Sequence, residues 1–346
     1  MGANMTPCQR VRVYRARQLG WVGQEVVGVT ISGVRVLVPG IALLLATIAV
    51  GAAPPQQPPI KDERLFQSGI EITSVTATVT DRDGQLVTGL DREAFEVFED
   101  GIRQNVTQFT RDRVPVGLGV LLDNSDSMFG RRIHDARAAV DRFLFELLEP
   151  VDEFFVMSFN HKPKPLTGWT RAQPDVQRAL DSLKPNGGTA IYDTIVEALP
   201  MLDVRTRPRG ALVVISDGAD TASTIGLREL RSALLRTDGF VYAIAIDPPE
   251  RQAINTRVNA QTLREITAET GGRTEVVQNT SELVDATARI AEELNSQYVL
   301  GYTSPRGADG QYHSIRVRTP GTDYRVRARR GYIATPLPRR PSSRQN

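Results

Sequence analysis

A short apolar run that ends in a polar cluster limits the possible fold more than any other feature. Residues 116–123 read Val-Gly-Leu-Gly-Val-Leu-Leu-Asp and follow Pro115. An apolar run of this length, bounded by turn-forming residues, is typical of a fully buried strand in a parallel sheet. Sites in open α/β sheets lie at the carboxyl ends of the strands. We therefore expect Asp123, Ser125 and Ser127 to lie together at one edge of the sheet.

Two later segments add oxygen-bearing side chains at equivalent places. A Gly-Gly-Thr run at 187–189 precedes a helical pattern, and the apolar run 213–216 is a second buried strand that ends in Asp217. These segments supply a fourth and a fifth oxygen group. Carboxylate and hydroxyl oxygens are the hard ligands that Mg²⁺ and Mn²⁺ prefer. Two carboxylates that meet at one edge repel each other unless a cation lies between them.

The order and spacing of these groups resemble the von Willebrand factor A (VWA) domain and its metal-ion-dependent adhesion site. The resemblance covers residues 113–297 and implies a bound Mg²⁺ or Mn²⁺ ion. It implies that the ion is held by the five residues matching the family motif, which are Asp123, Ser125, Ser127, Thr189 and Asp217. The sequence departs from the family at Asp126, where glycine is usual. Aspartate tolerates a left-handed backbone, so the turn can form, but its charge is expected to weaken attraction for an anionic ligand.

Strand and helix patterns alternate throughout residues 113–297. Helical spacing of apolar residues occurs at 131–148, 175–183, 189–203, 226–237, 260–270 and 281–295. Further strand patterns occur at 154–159, 211–216, 241–246 and 274–277. This alternation predicts an α/β fold with a doubly wound, mainly parallel sheet and helices on both faces.

The segments on either side are rich in short β patterns. In residues 66–112, apolar residues alternate with threonine, and Asp83-Gly84 is a hairpin-turn signal. The acidic run that starts at Asp81 lacks the glycine and glutamate of a calcium loop, so a plain turn is favoured. Residues 298–334 return to a period of two. Two or three strands are marginal alone, so we expect 66–112 and 298–334 to pair into a smaller antiparallel β domain around the VWA unit.

Phrases in both flanks resemble VWA-related proteins abundant in Acidobacteria, in which an A domain lies between two β-rich segments. The phrases are Val79-Thr80-Asp81 with Gly84, Phe95 with Glu99-Asp100-Gly101, and Tyr298 to Tyr302 with Gly331-Tyr332. Arg325, Arg327 and Arg329 fall on one face of a predicted strand. A solvated strand face is favoured there over a basic patch for acidic glycans or lipid headgroups.

The N-terminal segment carries an export pattern. Residues 1–53 combine an arginine-rich lead with an apolar stretch that ends in small residues, which predicts a signal peptide, cleaved near Ala52 or Ala53, or an uncleaved membrane anchor. Residues 54–65 form a proline-rich linker, and residues 335–346 are expected to be a disordered tail. The chain is therefore expected to be exported, and to be periplasmic, secreted or anchored to the outer side of the cytoplasmic membrane. Its one cysteine, Cys8, lies in the leader, so a processed chain would have no thiol.

Two classes of function fit these features. The first is an adhesion-type protein-binding module, in which an Asp or Glu of a partner completes the metal's coordination. The second is a metal-assisted hydrolase that acts through activated water. Binding is favoured because Asp123 and Asp217 would already serve the metal, which leaves Asp126 as the spare acid nearby. An A domain with a vestigial site in a structural envelope protein is a further alternative.

Other classes are not expected. The three histidines share no motif, and a serine hydrolase would need a Gly-x-Ser-x-Gly elbow, which does not occur. The net charge is only +2 and the arginines are scattered, so a nucleic-acid partner is not expected either. The sequence thus predicts a binding protein and not an enzyme.

Overall fold

A computed structural model describes residues 72–217, 219–246, 260–307 and 309–334. The leader, linker and tail predicted at 1–53, 54–65 and 335–346 lie outside these residues. Within the described ranges, none of the helices has the length and apolar character needed to cross a membrane.

Strands and helices follow one another in three blocks, β-rich, alternating and again β-rich. The strands are β1 (Ile72–Thr80), β2 (Glu96–Glu99), β3 (Ile102–Gln104), β4 (Val106–Thr110), β5 (Val116–Asp123), β6 (Glu153–Phe159), β7 (Pro163–Pro165), β8 (Arg209–Ser216), β9 (Phe240–Ile246), β10 (Thr274–Val277), β11 (Tyr298–Thr303), β12 (Tyr312–Arg318), β13 (Arg325–Ala328) and β14 (Gly331–Ile333). The helices are α1 (Arg131–Arg142), α2 (Gln173–Asp181), α3 (Ile191–Asp203), α4 (Leu227–Leu234), α5 (Ala260–Thr270) and α6 (Thr280–Asn295).

The alternating block forms a six-stranded sheet in the order β10-β9-β8-β5-β6-β7. All its neighbouring strands are parallel except β6 and β7. Every residue of β5, β6, β8 and β9 is buried, as expected for strands covered by helices on both faces. β5 and β8 lie at the centre of the sheet, so their carboxyl ends are adjacent.

Alternate residues of the central strands pack against different helix layers. Leu118, Val120 and Leu122 of β5 lie in one apolar core with residues of α1, α2 and α6. Leu121 lies in the other, with residues of α3, α4 and α5. The period of two along the strand therefore divides β5 between two cores. Together with the antiparallel flank described below, this arrangement confirms the fold class predicted from the sequence.

Most element boundaries differ from the sequence prediction by only one to three residues. The largest difference follows α1, because the helix predicted over 131–148 ends at Arg142 and continues as a π-helical turn, Phe143–Leu147. Phe143 and Leu144 remain buried in that turn, although its hydrogen bonds run from residue i to residue i+5.

The two flanking segments pair with each other in two antiparallel sheets. One sheet has the order β13-β1-β11-β4 and the other β14-β12-β2-β3, so each contains strands from both ends of the described chain. Val75, Phe95, Tyr298 and Ile315 are among the residues of their shared apolar core. Asp81 Oδ1 accepts hydrogen bonds from the backbone N–H groups of two residues in the β1 turn, as expected of a plain turn.

Glu293 of α6 connects the alternating block to the β flank. This carboxylate is 1% exposed. It accepts hydrogen bonds from Thr78 Oγ1 at 3.2 Å and Tyr242 Oη at 2.9 Å. It also binds Arg327 Nη2 at 2.5 Å and lies 3.4 Å from Arg273 Nε. The buried acid is thus held by residues of both parts of the fold.

The solvated face predicted for Arg325, Arg327 and Arg329 is wrong for two of the three, of which Arg327 lies in β13 and Arg329 directly follows it. Arg325 is exposed, whereas Arg327 binds the buried Glu293. Arg329 donates to the carbonyl oxygens of Gly331 at 3.0 Å and Leu235 at 3.4 Å. The period of two in the sequence predicts that these arginines share a face. The part of that face that carries Arg327 and Arg329 packs against the α/β unit.

Candidate metal centre

Asp123 ends β5 and is held between the two central strands. Its side chain is 0% exposed. Oδ2 accepts a hydrogen bond of 2.5 Å from Ser216 Oγ at the end of β8, and Oδ1 accepts one of 2.8 Å from the Ser125 backbone N–H. The parallel pairing of β5 with β8 places both strand ends at the same edge. The Asp123 carboxylate is therefore oriented by both strands and by its own turn.

Ser125, Ser127 and Asp217 form a chain of hydrogen bonds at this edge. Ser127 Oγ donates to Asp217 Oδ1 at 2.6 Å. Ser125 Oγ lies 2.9 Å from Ser127 Oγ. Because a hydroxyl carries one proton and Ser127 gives its own to Asp217, Ser125 is the donor in the second bond. Two hydroxyls and two carboxylates thus meet in one buried cluster.

Thr189 reaches the same edge through its backbone. Its N–H donates to Thr221 Oγ1 at 3.0 Å, and its carbonyl accepts from the N–H groups of Thr221 and Ala222. On the other side, the Asp126 N–H donates to the Gly187 carbonyl at 3.0 Å. Gly187 has a φ of 75°, which favours glycine. The segment that carries Thr189 therefore bridges the loops after β5 and β8.

All five residues predicted to bind metal are thus at one edge of the sheet. Asp123, Ser125, Ser127 and Asp217 belong to one continuous set of hydrogen bonds, whereas Thr189 is connected by backbone contacts.

The cluster buries two negative groups close together. The pKa of Asp123 is raised to about 6, mainly by burial and also by the charge of Asp217, and hydrogen bonds from Ser216 and Ser125 offset part of that increase. Arg132 is the cation that faces the cluster. Its Nη1 donates to the Ser127 carbonyl at 2.6 Å and lies 3.5 Å from Asp217 Oδ2. Among the described residues, the guanidinium of Arg132 therefore lies beside one of the two buried carboxyl groups, that of Asp217.

This donor set fits a hard divalent cation. The convergent side-chain atoms are carboxylate and hydroxyl oxygens, which suit Mg²⁺ or Mn²⁺. Within the described ranges, no group of three or more His, Cys, Asp or Glu side chains is placed to hold a metal. Any ion at this edge would therefore depend on the serine and threonine hydroxyls. The charge arrangement supports the same interpretation, because a cation would offset the repulsion between Asp123 and Asp217.

Asp126 takes a different conformation from the one expected. It lies in a 3-10 turn, Asp126–Met128, and its φ is not positive, since Asp100 is the one non-glycine residue with positive φ in the described chain. No left-handed backbone is therefore needed where the family usually has glycine. Its side chain is exposed, as expected for a residue whose charge could face a ligand.

Three residues of this edge were not identified from the sequence. Ser216 binds Asp123, and Arg132 contacts Ser127 and Asp217. Asp220 accepts bonds from the Tyr192 N–H at 3.0 Å and from a neighbouring serine hydroxyl, which caps the start of α3. A cation in the first turn of a helix opposes the helix dipole and calls for a nearby acid, but this signal does not separate Arg132 from the exposed Arg131 beside it.

Comparisons with known proteins identify the domain. The family model for the von Willebrand factor type A domain matches residues 118–219. Inter-alpha-trypsin inhibitor heavy chain H2 of Mesocricetus auratus is 27% identical over 172 residues, which are 44% of this chain and 18% of the relative. The Mus musculus protein of the same name is 26% identical over 132 residues, 35% of this chain and 14% of the relative. The chain thus spans less than a fifth of the length of these curated relatives.

Solved structures are also similar in part. A von Willebrand factor type A structure from Catenulispora acidiphila is 12% identical, covers 78% of this chain and 75% of its own, and gives a TM-score of 0.47. The conserved hypothetical protein BatB from Bacteroides thetaiotaomicron is 22% identical, covers 52% of this chain and 97% of its own, and gives a TM-score of 0.44. The range matched by the family model includes all five motif residues at the sheet edge, which are Asp123, Ser125, Ser127, Thr189 and Asp217. Over residues 118–219 this chain therefore matches the von Willebrand factor type A domain, and its mostly parallel sheet has the fold of that family.

Proposed function

We propose that this chain is an extracytoplasmic, metal-dependent protein-binding module of the adhesion type. Domains of this family are commonly involved in adhesion or protein interaction. The observation that carries the proposal is the partly buried chain of hydrogen bonds that joins Ser125, Ser127 and Asp217 beside Asp123. Groups that already converge need little reorganisation to bind an ion.

Each residue of the cluster has a role in this proposal. Ser125 and Ser127 would hold Mg²⁺ or Mn²⁺ through their hydroxyls, with Thr189 as a further oxygen ligand. Asp123 and Asp217 would supply negative charge, either as direct ligands or by orienting the hydroxyls that they contact. A bound ion would supply a coordination position that accepts a carboxylate oxygen. A partner's Asp or Glu is therefore the favoured ligand.

Binding accounts for these contacts better than hydrolysis does. A metal-assisted hydrolase needs a general base near the activated water. Asp123 and Asp217 both accept hydrogen bonds inside the cluster, so the exposed Asp126 is the acid left for that role on this loop. We therefore propose that the chain is a binding protein without enzymatic activity.

The extracytoplasmic part of the proposal rests on the sequence of residues 1–53. Sequencing the N-terminus of the mature protein tests it. A start after residue 52 or 53, or an intact N-terminus in the membrane fraction, supports export. A full-length product in the cytoplasmic fraction contradicts it.

Titration calorimetry with MgCl₂ and MnCl₂ tests the metal site. We expect the wild-type chain to bind one ion at millimolar concentration or below. Ser127→Ala removes the central hydroxyl and should lose binding, while Asp181→Asn, at an exposed acid at the end of α2, should retain it. Failure of the wild type to bind either metal, or unchanged binding by Ser127→Ala, would mean that the site is vestigial.

A further inference from the structure

Phe129 is the most exposed large apolar side chain of the described residues, at 77%. It follows Ser127 by two positions and therefore lies on the same loop as the candidate metal centre. Among the described residues, its ring stacks on none of the other aromatic rings. Single exposed apolar residues are ordinary on protein surfaces, so its position matters more than its exposure.

The backbone holds Phe129 outward. The preceding residue, Met128, is 0% exposed and fills the apolar core beneath the loop. The Phe129 N–H donates to the Asp126 carbonyl at 3.3 Å and ends the 3-10 turn. Gly130 then has a φ of 79°, and α1 begins at the next residue. With Met128 buried beneath the loop, the Phe129 ring lies on the outer side of this segment.

The surroundings of Phe129 combine an apolar ring with charge. Arg132 is partly exposed at the candidate centre, and its guanidinium contacts Ser127 and Asp217. Arg131 is also exposed, with 86% of its side chain accessible. Asp126, which precedes Phe129 by three residues, is also exposed. The face around the proposed metal therefore presents one large apolar group beside two arginines, which attract a carboxylate, and beside Asp126, which repels it.

We propose that Phe129 is the apolar anchor of the partner-binding face. The partner would be a protein segment in which an Asp or Glu is adjacent to a large apolar residue such as Leu, Ile or Phe. The acid would reach the metal centre, and the apolar neighbour would cover the Phe129 ring. This inference rests on the proposed function and adds the kind of partner to it.

The physical reason is the desolvation of the ring. A phenylalanine ring that is buried on binding gains from the removal of its surface from water, and aromatic anchors beside a charged contact are typical of binding hot spots. Loss of such an anchor lowers affinity by about tenfold or more. Because the free protein leaves the ring exposed, its removal should not alter the melting temperature.

A peptide array tests the proposal. Each immobilised peptide contains one Asp between two variable positions, set to Leu, Phe, Ser, Gly or Lys, and the purified chain is applied in Mg²⁺ and in EDTA. We expect the wild type to retain the Leu and Phe peptides about tenfold better than the Gly and Ser peptides, in Mg²⁺ only. Phe129→Ala should lose this preference but still require Asp and Mg²⁺, and Phe129→Leu should keep most of it.

Val204→Ala is the matched control, because Val204 is 69% exposed and lies just after α3, away from the motif loop. It should bind every peptide as the wild type does. An unchanged preference in Phe129→Ala, or no preference in the wild type, overturns the role of Phe129 and leaves metal-dependent binding intact. Absence of any Asp- and Mg²⁺-dependent capture contradicts the proposed function itself. Capture of phosphatidylglycerol vesicles by the wild type but not by Phe129→Ala, without peptide selectivity, assigns the ring to a lipid surface and also overturns the proposal.

Discussion

The molecule buries carboxylates in two regions, and their electrostatic surroundings are opposite. Glu293, between α6 and the β flank, is surrounded by the guanidinium groups of Arg327 and Arg273 and by two hydroxyl donors. At the sheet edge, Arg132 lies 3.5 Å from Asp217, whereas Asp123 accepts hydrogen bonds from Ser216 and Ser125. Among the described residues, one region thus places two cations around one acid, and the other places one cation at one of two neighbouring acids.

The difference indicates what each region is for. Burying a charge is costly unless it is paired and hydrogen-bonded, and the Glu293 cluster meets this requirement within the protein. Among the described residues, the sheet-edge cluster has one arginine beside its two acids, so the cation that we propose would offset the repulsion between them. Charge balance therefore distinguishes the Glu293 cluster from the cluster that we propose as a metal site, although the acids of both are fully buried.

The largest expected effect comes from Glu293→Ala. Removal of this acid leaves Arg327 and Arg273 without their shared partner, and breaking a buried ion pair costs roughly 3–5 kcal/mol. We expect the free energy of unfolding, measured in urea, to fall by about this amount in Mg²⁺ and in EDTA alike. Glu292→Ala, at the exposed neighbouring position of α6, should change it little. Equal effects of the two substitutions would contradict the structural role of Glu293.

Asp217→Asn should have an effect that depends on metal. The amide keeps an oxygen that can accept the hydrogen bond from Ser127, but the charge that would balance the ion is removed. The wild type should gain about 2.7 kcal/mol of stability when the Mg²⁺ concentration is one hundred times the dissociation constant. We expect the variant to lose this gain and to match the wild type, or exceed it, in EDTA. A large loss of stability in EDTA would mean that Asp217 stabilises the fold without metal, as Glu293 is expected to do.

Arg132→Gln should change stability and metal affinity in opposite directions. Without metal, the guanidinium is the cation beside Asp217, and its loss should cost roughly 1–2 kcal/mol of unfolding free energy in EDTA. With that cation gone, Mg²⁺ no longer competes with it, so calorimetry should show tighter binding. Arg131→Gln, on the same turn but with 86% of its side chain exposed, serves as the control. Weaker Mg²⁺ binding by Arg132→Gln would mean that Arg132 supports the metal site.

The smallest expected effect on stability concerns His313, a buried titratable residue in the β flank. Its Nδ1 lies 2.9 Å from Asp100 Oδ2, and its Nε2 lies 3.0 Å from Asp309 Oδ1. The hydrogen bond to Asp100 raises the pKa of His313 above 6.5, and the same bond lowers the pKa of Asp100 below 3.8. The histidine's contribution to stability is complete below pH 6.5 and is lost as the pH rises through the higher folded-state pKa.

The contribution of Asp100 has the opposite sign, since it is present above pH 3.8 and is lost as the pH falls through the lower folded-state pKa. The cluster should therefore stabilise the fold most between these two limits. His313→Gln should flatten the urea-derived stability profile above pH 6.5, by less than about 1 kcal/mol because the acids are partly exposed. A profile that is unchanged in the variant would show that the ion pairs contribute nothing.

The sequence was sufficient to place the candidate site but not its surroundings. Asp123 and Asp217 end apolar runs, and the ends of neighbouring parallel strands must meet, so their proximity follows from local patterns alone. The contact of Arg132 with Asp217 depends on which way a long side chain turns at the start of α1, and no local pattern determines that direction. Asp126 lies in a 3-10 turn that two backbone hydrogen bonds close, from the Met128 N–H to the Ser125 carbonyl and from the Phe129 N–H to the Asp126 carbonyl. The motif does not specify these bonds.

The β flank shows the same limit at a larger scale. Alternation correctly placed Arg325 and Arg327 on one face of a strand, but a period of two cannot say whether that face meets water or another part of the fold. The answer depends on Glu293, which is 34 residues away in sequence. The sequence pattern therefore predicts the strand, but long-range contacts decide whether its face is exposed to solvent.

The way in which the A domain joins the β flank has a mechanical consequence. β4 ends at Thr110 just before the domain, and β11 begins at Tyr298 just after it. These two strands are hydrogen-bonded neighbours, with Thr110 opposite Val299. Tension applied by a partner at the sheet edge would enter the flank through two adjacent strands at the same end. β11 is also paired along six residues with β1, so the load would act in shear on that ladder, and its hydrogen bonds would have to break together and not one at a time.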